Sequence, residues 1–263
     1  MGAIDVIKGN YIRELIERNE REDGRGPGEY RKVSVESGLF ENAEGSAMVE
    51  IGNTKVLAGI KIDAEAPMRD SPEKGNFMVS FELLPLAYRE YESGPPSPDA
   101  IELARVIDRG IRAGECINLE KLFIEEGKVW GVFADIYVLN YDGNLFDAGT
   151  IGAMAALLTA RMPKYEDGSV IREGNLGKLE VINTCASSTF AKIGKTIVLD
   201  ADANEEDFSD ARLTITTDEK YIRAMQKGLG GSFYTSEAER LIDVSFEKSK
   251  ELIKKVKEAA SGD

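Results

Sequence analysis

The segment Val129–Leu139, VWGVFADIYVL, is apolar almost without interruption and rich in β-branched and aromatic residues. Such a run reads as a central strand buried inside a sheet, because a strand with a wet face alternates apolar and polar residues. The next segments of the chain supply its cover. Asp142-Gly143 makes a turn, and Thr150–Ala160 is an alanine-dense helix that ends before Pro163 and whose small side chains permit close approach to a sheet. A chain organised around these segments is an α/β (α+β) protein, with mixed sheets packed against helices.

The remaining pattern agrees. Residues 3–21 read as a helix, with Ile4, Ile7, Tyr11, Ile12, Leu15 and Ile16 recurring near the 3.6-residue period. The turn-rich stretch 22–28 comes next. Strands are expected at 31–36, 45–51 and 55–62, the last two joined by a hairpin turn at Gly52-Asn53, then a polar loop over 64–76 and a strand at 77–84. After the stiff linker ESGPPSP at 92–98, Asp99 is the expected N-cap of a helix running from Ala100 to about Arg112, with Gly114 as its stop. Residues 164–178 form a loop or short hairpin. Strands are then expected at 179–184, 189–193, 195–199 and 211–217, with an acidic turn over 200–210, and 221–229 leads as strand or loop into Gly230-Gly231. A long amphipathic helix closes the chain over 236–258, its stripe formed by Ala238, Leu241, Ile242, Phe246, Leu252, Ile253 and Val256.

Composition removes several classes of function. The 263 residues include no histidine, which excludes every His-dependent triad, general base and metal ligand. Two cysteines, Cys116 and Cys185, are too few for a disulfide framework or a zinc cluster and fit a reducing, cytoplasmic home. No apolar run approaches the ~20 residues that cross a bilayer, so no membrane partner is expected. With 47 acids against 33 bases the net charge is −14. A chain this acidic repels nucleic acid on average and needs a local basic patch, or a basic partner, to bind a polyanion.

One such patch is legible. In IELARVIDRGIR at 101–112, Arg105, Arg109 and Arg112 stand at i, i+4 and i+7, within about 60° of one another on a helix. Leu103, Val106, Ile107 and Gly110 face mostly elsewhere. A row of permanently charged planar forks suits phosphates; the alternative is ordinary helical pairing with the flanking Glu102 and Asp108. A second constellation is Glu205-Glu206-Asp207 with Asp210, which could hold a divalent ion, serve as acid or base, or be a solvated loop. A third is Gly143-Asn144-Leu145 ahead of the alanine-rich helix, a strand–glycine–helix order that can cradle phosphate but lacks any established phosphate-loop motif, so a plain turn is the simpler reading. Asp23-Gly24-Arg25 with Arg31 is an ordinary charged turn, Ser187-Ser188 has no base to activate it, and the lysines of the last helix form its wet face.

Taken together, RNEREDGRGPGEYR at 18–31, EGSAMVEIGNTKVLAGIKI at 44–62, FELLPLAY at 81–88, IELARVIDRGIRAG at 101–114, YVLNYDGNLFDAGTIGAMAALLTARMP at 137–163 and LDADANEEDFSDARLTIT at 199–216 resemble the RNase PH family in order and spacing over nearly the whole chain. Within it they are most similar to the non-catalytic RNase PH-like branch found in the archaeal exosome. The resemblance implies two βαβα-type lobes, at 29–163 and 179–263, preceded by an N-terminal helix and turn at 1–28 and joined by a connecting loop at 164–178. It further implies a hexameric ring in which this chain alternates with a catalytic RNase PH-like exosome subunit, RNA-binding cap subunits above, and single-stranded RNA degraded from its 3′ end with phosphate as nucleophile.

Departures from the family pattern imply the role. Active relatives carry a Gly-Ser-Arg or Gly-Ser-Ser phosphate loop where this chain has Gly143, Asn144 and Leu145, and leucine offers phosphate neither hydroxyl nor guanidinium. They also carry two aspartates about six residues apart. Asp210 matches the second and Asp207 lies only three residues before it, which implies a vestigial acidic site. The expectation is a subunit with no catalytic residues and no cofactor or metal, whose Arg105, Arg109 and, less centrally, Arg112 face RNA at the boundary with the catalytic neighbour; Arg69 and Lys74 are candidates for the channel. The alternatives are a self-sufficient phosphorolytic exoribonuclease, with a divalent ion at the acidic turn, and a scaffold with no RNA role.

Overall fold

Thr54–Glu65 and Lys128–Asn140 are the two longest strands in the chain and lie antiparallel side by side, and the rest of the first sheet assembles on them. The computed structural model describes residues 3–174 and 176–262. In chain order the elements of the first part are α1 (Ala3–Glu17), β1 (Val33–Ser37), β2 (Gly45–Ile51), β3 (Thr54–Glu65), β4 (Asn76–Leu83), α2 (Pro98–Ala113), β5 (Phe123–Glu125), β6 (Lys128–Asn140) and α3 (Leu145–Thr159). The first sheet has the order β1-β2-β3-β6-β4, with β5 on β6; only the β4–β6 pair is parallel, and α2 lies within the crossover that joins them.

The short strands β7 (Arg161–Met162), β8 (Lys164–Glu166), β9 (Ser169–Ile171) and β10 (Gly177–Lys178) pair as β7–β10 and as a β8–β9 hairpin. The second sheet is antiparallel, β12-β11-β13-β14, built from β11 (Ala186–Ile193), β12 (Thr196–Leu199), β13 (Ala211–Thr217) and β14 (Ile222–Gly228). The short helix α4 (Ala203–Asp207) sits between β12 and β13, and α5 (Thr235–Ser261) closes the chain.

Helix α3 is the centre of the molecule. Every residue from Leu145 to Leu157 is buried, because β2 and β3 flank it on one side and β11, α2 and α5 on the others. Small residues make this possible. A Cβ on Gly45 of β2 would stand 2.2 Å from the Ala156 carbonyl oxygen, and one on Gly149 would stand 2.6 Å from Ile107 Cδ1. Leu252, Ile253 and Val256 of α5 join the same apolar core as β2, β3 and β6, whereas the second sheet packs mainly into two smaller clusters, one with Ile12 and Ile16 of α1 and one with Leu241 of α5.

The structure departs from the sequence reading at several points. Strand β6 is central but not covered on both sides: Val132, Ala134, Ile136 and Val138 are fully buried, whereas Phe133, Asp135 and Tyr137 are only half-buried. Helix α1 stops at Glu17, and Asn19 turns the chain with φ 57°. Its inner face is Ile12 and Ile16; Ile7 and Tyr11 are exposed, and the Ile4 side chain lies outside the described residues. Ser97, not Asp99, caps α2, its side chain accepting the Ala100 N–H, with Pro98 in the first turn where its missing N–H costs nothing. Helix α3 starts at Leu145 rather than Thr150, since Gly143 and Asn144 both adopt positive φ and complete the turn early. Residues 179–184 form no strand and make a single bridge, Ile117 to Val181. The acidic turn contains α4, closed by a capping box between Asp202 and Glu205.

Because α5 contributes to the core that α3 organises, truncating Leu252 to alanine is expected to cost about 2–5 kcal/mol and to leave one cooperative transition. Urea unfolding followed by tryptophan fluorescence and far-UV circular dichroism together checks this; separate transitions for the two probes would contradict it.

Candidate functional site

Helix α2 buries Ala100, Leu103, Val106, Ile107, Gly110 and Ile111. That face fixes the other, and Arg105, Arg109 and Arg112 all point to solvent. They share a groove of about 560 Å³ with Met68 and with Phe77 and Met78 of β4. The two acids next to the stripe neutralise only one of its three arginines. Glu102 turns away to Arg212, 2.6 Å from Nη2, and Asp108 pairs only with Arg112, at 2.9 and 3.1 Å. Arg112 also donates to the Phe77 carbonyl at 2.6 Å and lies over the Phe77 ring. Arg109 reaches Gln226 Oε1 at 3.4 Å. Arg105 has no hydrogen bond or ion pair among the described residues. The three arginines are therefore unequal: two are free of acidic partners, and the third is held within the chain. Arg69, next in sequence to Met68, is exposed, whereas Lys74 is paired with Glu120 at 3.2 Å.

The loop ahead of α3 is built in the opposite sense. Asn144 is completely buried. Its backbone N–H donates to Glu206 Oε1 at 2.8 Å, and its side-chain Nδ2 donates to Asp200 Oδ1 at 2.6 Å and to Asp147 Oδ2 at 2.9 Å. Tyr141 donates its hydroxyl to the other Glu206 oxygen at 2.8 Å. The Gly143 carbonyl accepts from Thr54 Oγ1 at 2.6 Å, and a Cβ on Gly143 would stand 2.4 Å from the Ala201 carbonyl. A helix N-terminus in this position is a natural anion site. Here the anion is already present as the chain's own Glu206 carboxylate, whose pKa is pushed up by burial.

Behind the loop, Asp200 is fully buried and accepts from the Arg31 backbone N–H, from Arg31 Nε and Nη2, and from Arg25 Nη1 at 2.8–3.0 Å. Arg21 makes a buried pair with Glu205, Nε to Oε1 2.8 Å. The charged turn at 23–31, ordinary in sequence, thus supplies the cations that balance this interior. Asp200 and Glu206 both bind Asn144, and nothing in the run of acids sets them apart from their neighbours.

Asp207 and Asp210, read from the sequence as a vestigial acidic site, are not brought together. Asp210 turns to Arg13 Nη2 at 2.8 Å and to the Gly194 N–H at 2.7 Å, contacts that hold its carboxyl below the usual range. Asp207, its pKa raised by burial, lines a separate cavity of about 210 Å³. That cavity is walled by Tyr91, Leu145 and Phe146 and carries Asp99, Glu102, Glu206 and Asp207 against the single cation Arg212, which stacks on Phe146. Four carboxylates around one guanidinium disfavour an incoming phosphate. Among the described residues, no group of three or more His, Cys, Asp or Glu side chains is placed to hold a metal ion, and no helix is long and apolar enough to cross a membrane.

Domain 1 of the 3′ exoribonuclease (RNase PH) family matches residues 29–163, and domain 2 matches residues 183–248. The chain belongs to this family. Among its relatives, the Exosome complex component Rrp42 of Thermococcus gammatolerans is 46% identical over 98% of each chain, and that of Pyrococcus furiosus is 47% identical over 97% of this chain and 95% of the other. A chain of the Archaeoglobus fulgidus exosome with RNA bound to the active site superposes with a TM-score of 0.90 at 41% identity, covering 97% of this chain and 99% of that one. An archaeal exosome core gives a TM-score of 0.86 at 39% identity.

Asp147 offers a pH test of this interior. Burial pushes its carboxyl up to about 7, outweighing the donors Asn144, Thr189 and Tyr30. A carboxyl whose folded pKa is raised contributes stability that is fully present below its unfolded pKa and is lost as pH rises through the folded value. Asp147→Asn is therefore expected to cost more at pH 4 than at pH 8, the difference closing as pH rises through 7. Denaturant midpoints of both proteins across that range check it.

Proposed function

We propose that this chain is a non-catalytic subunit of an archaeal exosome, a complex that degrades RNA from the 3′ end by phosphorolysis, and that it lends arginines to RNA held at the boundary with a catalytic RNase PH-like subunit. The two alternate in a hexameric ring beneath RNA-binding cap subunits, in the cytoplasm. The observation that carries the reading is the filled phosphate loop. With Glu206 on the Asn144 amide, Leu145 in place of a phosphate ligand and a cavity of net negative charge behind it, this loop has no place for the attacking anion. Phosphorolysis requires that anion to be positioned in line with the scissile bond.

The same chain leaves Arg105 and Arg109 without acidic partners in an open groove. In a protein of net charge −14, unpaired guanidiniums on one helix face are the feature that a single strand's phosphates would seek. The kinship to relatives called exosome components, and to a chain solved with RNA in its complex, supports the same assignment.

The purified chain alone is expected to show no phosphate-dependent release of nucleoside diphosphates from single-stranded RNA, whereas its mixture with the catalytic subunit is active. In that mixture, Arg105→Glu combined with Arg109→Glu should lower turnover at limiting RNA about tenfold or more and flatten the salt dependence of RNA binding, with ring mass unchanged. Activity of the lone chain would contradict the non-catalytic role, and loss of the ring in the double variant would make the arginines structural.

A further inference from the structure

The chain's two cysteines, 69 positions apart, meet in the interior. Cys116 Sγ lies 3.6 Å from Cys185 Sγ, and both residues are fully buried. The approach is imposed by the backbone around them. The Ile182 N–H donates to the Cys116 carbonyl at 2.8 Å, Ile117 and Val181 form an antiparallel bridge, and Asn183 Nδ2 donates to the Gly114 carbonyl at 3.1 Å. Gly114 contributes by lacking a side chain, since a Cβ there would stand 2.8 Å from Cys116 Sγ. The segment leaving α2 and the segment entering β11 are thus clamped side by side with the two thiols facing each other. No third ligand makes this a metal site: the other polar neighbour of Cys185 Sγ is the Gly110 carbonyl at 3.9 Å.

We propose that Cys116 and Cys185 form a covalent modification site, an intrachain cross-link made by an oxidant of the peroxide class. Hydrogen peroxide transfers one oxygen to the Cys116 sulfur, giving a sulfenic acid and one water. The Cys185 sulfur then bonds to the Cys116 sulfur, and the departing hydroxide takes the Cys185 proton as a second water. Two thiols and one peroxide become one S–S bond and two waters, with both sulfurs oxidised and the peroxide oxygens reduced. The neighbouring Cys116 sulfur and burial push the Cys185 thiol well up, so its proton leaves together with formation of the S–S bond rather than before it. The sulfurs need to close by about 1.5 Å to reach bonding distance, a displacement within reach of side-chain rotation. The bond joins the segment leaving the arginine-bearing helix to the segment entering the second sheet.

The test uses the full chain, reduced, exposed to hydrogen peroxide, freed of excess, then unfolded and alkylated. The expected result is no alkylated cysteine, a mass lower by two hydrogens, a linked peptide containing Cys116 and Cys185, and a melting temperature raised by about 10 °C, all reversed by dithiothreitol. Cys185→Ser should lose both the link and the rise. If that variant does not fold, the reduced and oxidised wild-type chains decide the matter between them. Two alkylated cysteines after peroxide, separate oxidation of each thiol to sulfinic acid, or cross-links between copies on a non-reducing gel would each overturn the proposal.

Discussion

Asp200 has no access to solvent, and its charge has to be balanced within the chain. Arg31 and Arg25 do so from the N-terminal side, and Asn144 reaches it from the turn before α3. One carboxylate at the end of β12 therefore fixes the segment entering the first sheet and the loop preceding the central helix. Breaking a buried pair by removing one partner leaves an uncompensated charge and costs about 3–5 kcal/mol. This interior is accordingly rigid, and its rigidity determines the character of the loop. Asn144 is drawn inward, its amide is given to Glu206, and the position where an anion could rest on a helix terminus is closed by the chain itself.

The consequence is a division of electrostatic labour. The loop and the cavity behind it concentrate carboxylates, while α2 turns an arginine face outward on the far side of its own buried stripe. The two neighbouring acids leave most of that face unquenched: Glu102 is drawn to Arg212, which is stacked on Phe146, and Asp108 is taken up by Arg112 alone, which leaves Arg105 and Arg109 without acidic partners. An acidic protein can in this way keep a local site for polyanions, because burial and pairing decide which charges are felt at a surface and which are not.

Much of this is legible in the residues. The β2–β3 hairpin, the central strand, the small-residue helix and the arginine row follow from period and turn chemistry, since those are local properties of the chain. The strength of the Asn144 loop is not legible, because it depends on contacts from Glu206 and Asp200 that cross from one sheet to the other. The charged turn at 23–31 looks ordinary in sequence for the same reason: Arg25 and Arg31 have value only once β12 places Asp200 beside them. Where Asp207 and Asp210 go is not legible either: one carboxylate lines the cavity and the other pairs with Arg13. The early start of α3 is hidden by the positive φ of Asn144, which a sequence pattern does not display.

The central claim is that the chain's own carboxylates exclude phosphate from the Gly143–Leu145 loop while Arg105 and Arg109 of α2 remain available. Crystals of the chain soaked in phosphate, with difference density inspected at the Asn144 amide, test it most directly. The account predicts no anion at that amide and an unmoved Glu206. A phosphate bound there with Glu206 displaced would contradict it.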